Sequence, residues 1–470
     1  MSARGKGMAS GPVRTSRKRA GLWAVSWVSV LLLLTGATSL INGNQVPAGG
    51  SANSSPTPSA DPLSSVSLTF DAGRASQMDA AKILKEHGLR GTFFIDSGFV
   101  GAPDYMTVDN LHTLAADQNE IGGHTVTLAD VTSVEPDEAS RQICNDRANL
   151  TDWGFKVTSF AYPFAASTPK SEELVAACGY NSARGLGEIT TPVDCVGCAA
   201  AETVRPADPF RTRATSEVGS NWTLADLEAT VAQAEKAGGW LQLTFYDIDN
   251  SGSPRSISPA LFEQFATWLA AKTQQGTMAV RTIHDVIGGV AKPVVNGPVA
   301  APAAPGQNAI RNPGLEIAGK YGLPQCWQVS SYGRNAVVLS TLTPGHTGAV
   351  ARRLDVTEYS SGDAKLLPVL DLGACAPSVS TGHSYSLRAW YQSTAKTQFE
   401  VYYRNKLGTW TYWTASPWFA ANTSYEQAVW ETPPVPAGAE AISFGMNLFS
   451  DGQLATDDYE MYDTVGAPSP

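Results

Sequence analysis

The first part of the chain alternates two kinds of hydrophobic pattern. Between residues 63 and 290, short apolar runs such as VSLTF, GTFFI and WLQLTFYDI are separated by longer segments whose apolar residues recur every three or four positions. The short runs predict buried strands, and the longer segments predict amphipathic helices. Repeated strand–helix units predict a parallel α/β architecture, and this number of units in one domain favours a barrel.

The last part of the chain follows a different pattern. From residue 309 to residue 470, runs such as SYSLRAWY, QFEVYYRN and AISFGMNL alternate apolar and polar positions between turns rich in Gly and Pro. This pattern predicts short antiparallel strands in an all-β sandwich. The region holds six of the twelve tryptophans and eleven of the fifteen tyrosines, so aromatic side chains are concentrated in it.

Two segments of small and turn-forming residues bound these regions. Residues 42–62 and 291–308 are rich in Pro, Gly, Ala or Ser and contain few large apolar side chains. Such segments cannot bury enough surface to fold alone, and they predict linkers. The linkers define one domain at residues 63–290 and a second at residues 309–470.

The N-terminal residues predict export. Residues 1–20 form a basic head, and residues 21–41, GLWAVSWVSVLLLLTGATSLI, carry no charge. As a helix this apolar segment is long enough to span a bilayer with its basic end inside. Cleavage as a signal peptide and retention as a membrane anchor both fit this pattern. We therefore expect an extracellular or cell-surface protein, which contacts the membrane through residues 21–41 if they are retained.

The charge balance excludes one class of partner. The formal net charge of −10 includes six positive charges in the basic head, so the remaining residues carry −16. A protein that binds nucleic acid needs clustered positive charge to displace counterions from the phosphates. Nucleic acid is therefore not expected as a partner.

The six cysteines predict disulfides within each domain. Four lie in the first domain and two, Cys326 and Cys375, lie beyond the second linker. An even number of cysteines in an exported chain is typical of disulfides, and we expect Cys326 to pair with Cys375. Cys195 and Cys198 form a single CxxC sequence without a second one, which favours a local disulfide over a zinc or redox site.

Several motifs of the first domain occur together in a characteristic order. They are Thr69-Phe70-Asp71 followed by Gly73, the strand GTFFI, His124-Thr125, Tyr162-Pro163 after a strand, and the strand LQLTFYDI. With these motifs the domain resembles the NodB-type polysaccharide deacetylases, metal-dependent hydrolases that remove acetyl groups from chitin, peptidoglycan or related glycans. The resemblance implies a distorted (β/α) barrel.

The chemistry of that family depends on zinc or another divalent metal held by one aspartate and two histidines. The metal lowers the pKa of a bound water and polarises the acetyl carbonyl. A second aspartate acts as general base, and a histidine on a late strand acts as general acid. The second metal-binding histidine follows the first by four residues.

This sequence matches two of those positions and departs from three. By the resemblance, Asp71 takes the position of the general base and His124 that of the first histidine ligand. Ala72 stands at the position of the metal-binding aspartate, Leu128 at that of the second histidine, and Tyr246 at that of the general acid. The arginine that usually precedes the Tyr-Pro motif is also missing.

These departures predict weak or absent metal-dependent deacetylation. A single imidazole does not hold zinc usefully, because sites of useful affinity have three or four ligands. We therefore expect no bound cofactor. Rescue by a ligand outside the family pattern, such as Asp247 or Asp130, is the alternative, and it would make the protein an active deacetylase with an altered metal site.

The aromatic residues suggest a glycan partner. Tyr162 and Pro163 are predicted to contact substrate in the barrel, and Trp410, Trp413 and Trp418 are predicted to lie in or near turns of the second domain. Flat aromatic rings offer large apolar faces against which sugars can stack, and the second domain resembles jelly-roll carbohydrate-binding modules. Two hypotheses remain open: a deacetylase with an altered site, or an inactive barrel with a sandwich that binds a chitin-, peptidoglycan- or related polymer.

Overall fold

The parallel sheet predicted for the first domain is present in the computed structural model of the protein, which describes residues 64–470. The predictions for the basic head, the apolar segment 21–41 and the first linker lie outside the described residues. No helix within residues 64–470 is both long and apolar enough to cross a membrane.

Strands and helices alternate along the first domain. Its strands are β1 (Ser64–Phe70), β2 (Thr92–Ile95), β3 (Glu120–Gly123), β4 (Ser159–Ala161), β5 (Ser182–Arg184), β6 (Glu217–Val218), β7 (Trp240–Phe245), β8 (Asp247–Ile248), β9 (Ser256–Ile257) and β10 (Met278–Val280). Its helices are α1 (Gln77–Glu86), α2 (Val108–Ala116), α3 (Pro136–Asp152), α4 (Pro169–Ala177), α5 (Leu224–Ala237), α6 (Pro259–Gln274) and α7 (Ile283–Ile287).

The main sheet of this domain is parallel and curled. Its strands follow the order β5-β4-β3-β2-β1-β7-β6, and β10 pairs with the first residues of β1. All seven residues of β1 are buried because the strand lies at the centre of the sheet. At its end, Phe70 stacks on Phe93 with ring centroids 4.5 Å apart. The predicted distorted α/β barrel is confirmed.

Residues with hydroxyl side chains cap the N-termini of most of these helices. Five helices have an N-cap residue whose side chain accepts a hydrogen bond from a backbone N–H: Thr107, Thr168, Thr223, Ser258 and Thr282. The short helix α7 contains His284. Thr282 and Asp285 form a reciprocal capping box that stabilises this helix.

The second predicted linker follows the surface of α3. Residues 291–308 form no helix or strand. The guanidinium of Arg147 donates hydrogen bonds to the backbone oxygens of Lys292, at 2.6 Å, and Pro293, at 3.0 Å. These bonds attach the start of the segment to the barrel.

The second domain is an antiparallel sandwich, as predicted. Its strands are β11 (Trp327–Leu342), β12 (Ala351–Pro368), β13 (Tyr385–Ser393), β14 (Phe399–Asn405), β15 (Trp410–Ala415), β16 (Asn422–Glu431), β17 (Ala439–Leu448) and β18 (Gly452–Asp463). They follow the order β15-β14-β17-β12-β18-β13-β16, with β11 paired to β12. Apolar residues such as Leu366, Val401 and Phe444 fill its core.

The turn between β14 and β15 contacts the barrel. Thr409 donates a hydrogen bond from its hydroxyl to the backbone oxygen of Gly98, at 3.1 Å. Asn149 of α3 donates to the backbone oxygen of Leu407, at 3.0 Å. Gly98 lies in the loop after β2, so the sandwich touches the barrel near the carboxyl ends of its strands.

All three disulfides join cysteines of the same domain. They are Cys144–Cys178, Cys195–Cys198 and Cys326–Cys375. The predicted pairing of Cys326 with Cys375 and the predicted local CxxC disulfide are therefore confirmed.

Removal of the Cys326–Cys375 bridge is expected to destabilise the sandwich. In the variant Cys326→Ala/Cys375→Ala, the free energy of unfolding should fall by about 2–4 kcal/mol, because the bridge restricts a long loop of the unfolded chain. Equilibrium urea unfolding measures the change. The matched control is Cys195→Ala/Cys198→Ala, whose bridge spans a sequence separation of 3 instead of 49 and should contribute less. Equal losses would contradict this argument.

Candidate functional site

Charged residues from several strands meet at the carboxyl ends of the parallel sheet. Asp71 follows β1, His124 follows β3, Arg184 ends β5, and Tyr246 follows β7. Parallel strands end at the same edge of a curled sheet, so the fold brings together residues that are distant in sequence.

Asp71 forms a buried ion pair with Arg184. The two side chains are 4% and 1% exposed, and the Arg184 guanidinium lies 4.9 Å from the centroid of the Phe94 ring. An unpaired carboxylate in such a buried place would be costly, so the guanidinium compensates its charge. The residue predicted as general base therefore already has a cationic partner.

Two of the departures from the family pattern lie in turns with unusual backbone angles. Ala72 has a φ of 70° in the turn after β1, and Leu128 has a φ of 56° in the loop after β3. Aspartate and asparagine tolerate this left-handed region better than most residues, so the backbone at Ala72 would accept an aspartate. Neither side chain carries an atom that could bind a metal.

His124 pairs with Asp96, a residue that follows β2. The Nδ1 atom of His124 lies 3.2 Å from Oδ1 of Asp96, and both residues are buried. Burial alone would lower the pKa of His124, but the charge and hydrogen bond of Asp96, with the charge of Asp71, raise it above its ordinary value. Burial in turn raises the pKa of Asp96 against the opposing effect of His124. The imidazole is thus held by a carboxylate.

Asp146 of α3 joins the loops that carry this pair. Its two carboxylate oxygens accept hydrogen bonds from the backbone N–H groups of Ser97 and His124, each at 3.0 Å. The side chain is fully buried, and burial, together with the charge of Asp96, raises its pKa well above the usual range. Asp146 therefore fixes the position of His124 through the backbone.

Tyr246 lies beside two arginines. The Arg255 guanidinium lies 3.6 Å from the centroid of the Tyr246 ring. Arg74 lies 3.4 Å from Oδ1 of Asp247, which also accepts a hydrogen bond from the hydroxyl of Ser76. The phenol stands at the predicted acid position, but burial raises its pKa despite the opposing charge of Arg255. Proton donation from it at neutral pH is correspondingly weak.

Tyr162 and Pro163 occupy the end of β4. Both are buried, and the Tyr162 hydroxyl donates a hydrogen bond to the backbone oxygen of Phe210, at 3.0 Å. The next residue, Phe164, is 67% exposed and has a φ of 58°. The exposed ring at this strand end is therefore Phe164, and the predicted contact of Tyr162 and Pro163 with substrate stays a prediction.

The three tryptophans predicted to bind glycan are placed differently from one another. Trp410 and Trp413 lie within β15 and not in a turn, because the run WTYW pairs with β14. Trp413 packs against the sandwich core, whereas Trp418 is exposed, with the Lys396 ammonium 4.3 Å from its ring centroid. Their role in binding remains a prediction.

The residues present do not fit the metal of the family. Asp71 is engaged by Arg184, and Ala72 and Leu128 provide no ligand. Across residues 64–470, no three His, Cys, Asp or Glu side chains are arranged to hold a metal ion. The two rescue candidates have other contacts, since Asp247 bonds Ser76 and Asp130 bonds Thr132.

The sequence interpretation missed three residues of this site. Arg184 belongs to the run NSARG, in which nothing in the pattern distinguished it from a strand-end arginine on the surface. Asp96 directly follows the strand GTFFI, and its position at a strand end was a usable signal. Asp146 lies in a long polar helix, where a carboxylate that points inward cannot be recognised by spacing alone.

Comparison with known proteins finds similarity to one family over part of the chain. Residues 59–183 match the family model described as Polysaccharide deacetylase. The chain is also 28% identical over 205 residues to a gellan lyase from a Bacillus species, a match that covers 42% of this chain and 8% of that protein. The chain thus spans less than a tenth of the length of this relative.

Solved structures show distant likenesses. A family 4 carbohydrate esterase from Streptomyces lividans in complex with acetate is 14% identical, with 49% of this chain and 97% of that chain covered and a TM-score of 0.33. TmCBM61 in complex with beta-1,4-galactotriose is 16% identical, with 33% of this chain and 99% of that chain covered and a TM-score of 0.24. Likenesses this distant carry no argument about function.

Loss of the Arg184 guanidinium is expected to destabilise the barrel. Arg184→Met should lower the free energy of unfolding by about 3–5 kcal/mol, because it leaves the buried carboxylate of Asp71 unpaired. The double variant Asp71→Asn/Arg184→Met should lose less than Arg184→Met alone, since the orphan charge is then removed.

Urea unfolding of these variants measures the effect. The control is Arg211→Met, which removes a 57% exposed arginine paired with Glu188 and should change stability by less than about 0.5 kcal/mol. If Arg184→Met were as mild as this control, the ion pair would not be the compensation inferred here.

Proposed function

We propose that the protein, whose residues 59–183 match the polysaccharide deacetylase family model, is an exported member of that family that binds glycan without metal-dependent deacetylation. The observation that carries the proposal is the ion pair between Asp71 and Arg184. It places a fixed cationic group of the protein on the carboxylate that the family uses as general base.

Three physical arguments support the loss of the family's reaction. Without a metal, water keeps its high bulk pKa instead of one of about 7. A general base contributes only about 10²–10⁴-fold to a rate, which is too little to offset that difference. In addition, the Arg184 guanidinium contacts Oδ1 of Asp71 and so competes for the oxygen that would accept a proton from water.

Arg184 also opposes binding of a divalent cation. Its guanidinium contacts Asp71 and carries a permanent positive charge. A metal ion at the same carboxylate would be repelled by that charge across a buried, weakly screened distance. Restoring ligands alone therefore does not restore the site.

A second candidate function is an active deacetylase with an altered metal site. The observation in its favour is the position of Asp96, which places another carboxylate beside His124 and close enough to Asp71 for their charges to interact. In this case Asp96 and His124 would provide ligands that the family pattern does not predict. The metal content of the purified protein distinguishes the two candidates.

The location and the partner follow from other features. Three disulfides support an oxidising environment, outside the cell or at its surface. The family domain and the aromatic sandwich support a glycan as partner, and the acidic net charge disfavours nucleic acid. If residues 21–41 are retained, they would also hold the protein at the membrane.

Metal analysis and an acetate assay test the proposal. The purified protein should contain no stoichiometric zinc, cobalt or nickel and should release no acetate from acetylated chitooligosaccharides with added zinc. A family 4 carbohydrate esterase assayed in parallel is the positive control. One tightly held metal per chain, lost in His124→Ala and accompanied by acetate release, would instead establish the second candidate.

A reconstructed site should bind zinc only when Arg184 is also replaced. Ala72→Asp with Leu128→His restores the ligand set, and Arg184→Met removes the competing cation. We expect one zinc per chain in the triple variant and little in any single variant, because ligands that act together are strongly non-additive. Titration calorimetry measures zinc binding directly. Tight zinc binding by the variant that retains Arg184 would contradict the proposed role of the guanidinium.

A further inference from the structure

One face of the sandwich points away from its core and is unusually polar at its centre. Leu366, Val401 and Phe444 point into the core, so their neighbours along each strand face outward. The outward residues at the centre of the sheet are Asp363 and Lys365 on β12, Glu400 and Tyr402 on β14, and Asn447 on β17.

Three of these residues form a buried ionic cluster. The Lys365 ammonium lies 2.8 and 2.7 Å from the two oxygens of Asp363 and 2.7 Å from Oε2 of Glu400. The side chains of Lys365 and Asp363 are fully buried, and that of Glu400 is 8% exposed. Apolar side chains of similar volume would stabilise a sheet at least as well, because desolvation of such ions is costly. Stability alone therefore does not account for this cluster.

Asn447 adds an unused hydrogen-bond acceptor to the cluster. Its amide nitrogen donates to Asp363 and to Glu400, each at 3.3 Å. Its side-chain oxygen is buried and has no hydrogen-bond partner within residues 64–470. A buried polar atom without a partner requires an explanation, and a ligand hydroxyl that reaches it is one.

Tyrosine rings flank the cluster on both sides. The ring centroids of Tyr332 and Tyr402 lie 5.7 and 5.4 Å from the Lys365 ammonium, within the range of cation–π contact. Tyr412 lies beside Tyr402, with ring centroids 5.9 Å apart. Tyr332 is 58% exposed and Tyr412 is 52% exposed, so their rings are open to solvent.

The rings are spread across five neighbouring strands. In the order β15-β14-β17-β12, with β11 paired to β12, Tyr412 and Tyr332 lie on the two outer strands. Measured through Tyr402 and the Lys365 ammonium, the ring centroids of Tyr412 and Tyr332 lie no more than about 17 Å apart. This distance suits an extended chain of several sugar rings better than a single small molecule.

We propose that this tyrosine face, formed by Tyr332, Tyr402 and Tyr412 around the Asp363–Lys365–Glu400 cluster, binds a neutral glycan chain. The inference rests on the proposed glycan function and assigns it to one surface. Sugar rings present C–H groups that pack on aromatic faces, and their hydroxyl edges require polar partners between those faces. The tyrosine face alternates aromatic rings and polar groups in the same way.

The charge of the cluster favours a neutral glycan over an anionic one. Two carboxylates surround one ammonium, so no net positive charge is available for a uronate or sulfate. Burial is the main cause that raises the pKa of Asp363 to about 7. Glu400 also raises this pKa, whereas Lys365 opposes the shift. Around neutral pH the cluster is therefore neutral to singly negative. A protein partner is also disfavoured, because charged residues are depleted at the centre of protein interfaces and this face has three of them at its centre.

Affinity electrophoresis of the whole chain tests the inference. Native gels would contain hydroxyethylcellulose, β-1,4-galactan or soluble xylan as neutral polymers, and polygalacturonate as the anionic polymer. We expect retardation by at least one neutral polymer and none by polygalacturonate. In Tyr332→Ala/Tyr412→Ala, affinity should fall at least about tenfold, because both exposed rings are lost. Near-UV circular dichroism would verify that the variant is folded.

Two controls separate this surface from others. Tyr321→Ala removes a 96% exposed tyrosine elsewhere in the sandwich and should retain wild-type affinity. Trp418→Ala removes the exposed tryptophan that the sequence predicts to bind glycan, and so tests the competing surface. Loss of binding in Trp418→Ala but not in the tyrosine variant would overturn the tyrosine face and leave the glycan function intact.

The remaining outcomes are equally decisive. Retardation by polygalacturonate alone would overturn the preference for a neutral chain. If none of the four polymers retards the wild-type protein, the tyrosine face is overturned and the glycan function loses its support. The metal and acetate measurements are independent of these results, so the proposed loss of metal-dependent deacetylation is tested separately.

Discussion

The buried carboxylate of Asp71 is the constraint on which the barrel site depends. A carboxylate at this depth needs a positive partner, because water does not reach it. In a metal-dependent relative the neighbouring cation meets part of that need. In this chain the positive partner is Arg184, which lies on β5, the strand at one end of the sheet order. Once the guanidinium is in contact with Asp71, the metal ligands at positions 72 and 128 are no longer needed to balance this charge.

Charge pairs and hydrogen bonds within the chain also fix the positions of the residues around Asp71. Asp96 balances His124, and Asp146 binds the backbone of both Ser97 and His124. Asn149, one turn further along α3, bonds the hydroxyl of Ser97 and the sandwich turn at Leu407. The site is therefore held in place by internal hydrogen bonds and by the second domain. These contacts within the chain hold the ends of the strands in position.

Much of the fold follows from the sequence, whereas the interactions of the site follow only in part. Apolar runs with helical spacing between them identified the barrel, and alternation in runs such as QFEVYYRN identified the sandwich, because burial imposes these periods directly. The pairing of Asp71 with Arg184 spans 113 residues, and no local pattern encodes a contact of that range. The strand that begins at Trp410 is a related case, since this run gains its strand structure from pairing with β14.

The motif around Asp71 therefore needs a structural interpretation beside the chemical one. In the family the Thr-Phe-Asp sequence ends a strand at a catalytic metal. In this chain Thr69 and Phe70 end β1, and Asp71 follows it. The Thr69 hydroxyl donates a hydrogen bond to the backbone of β7, and Asp71 pairs with Arg184 of β5. Each of these contacts stabilises the curled sheet whether or not the protein hydrolyses anything. A match to this motif is consequently evidence for the barrel, whereas deacetylation also requires the ligands of the metal that activates the water.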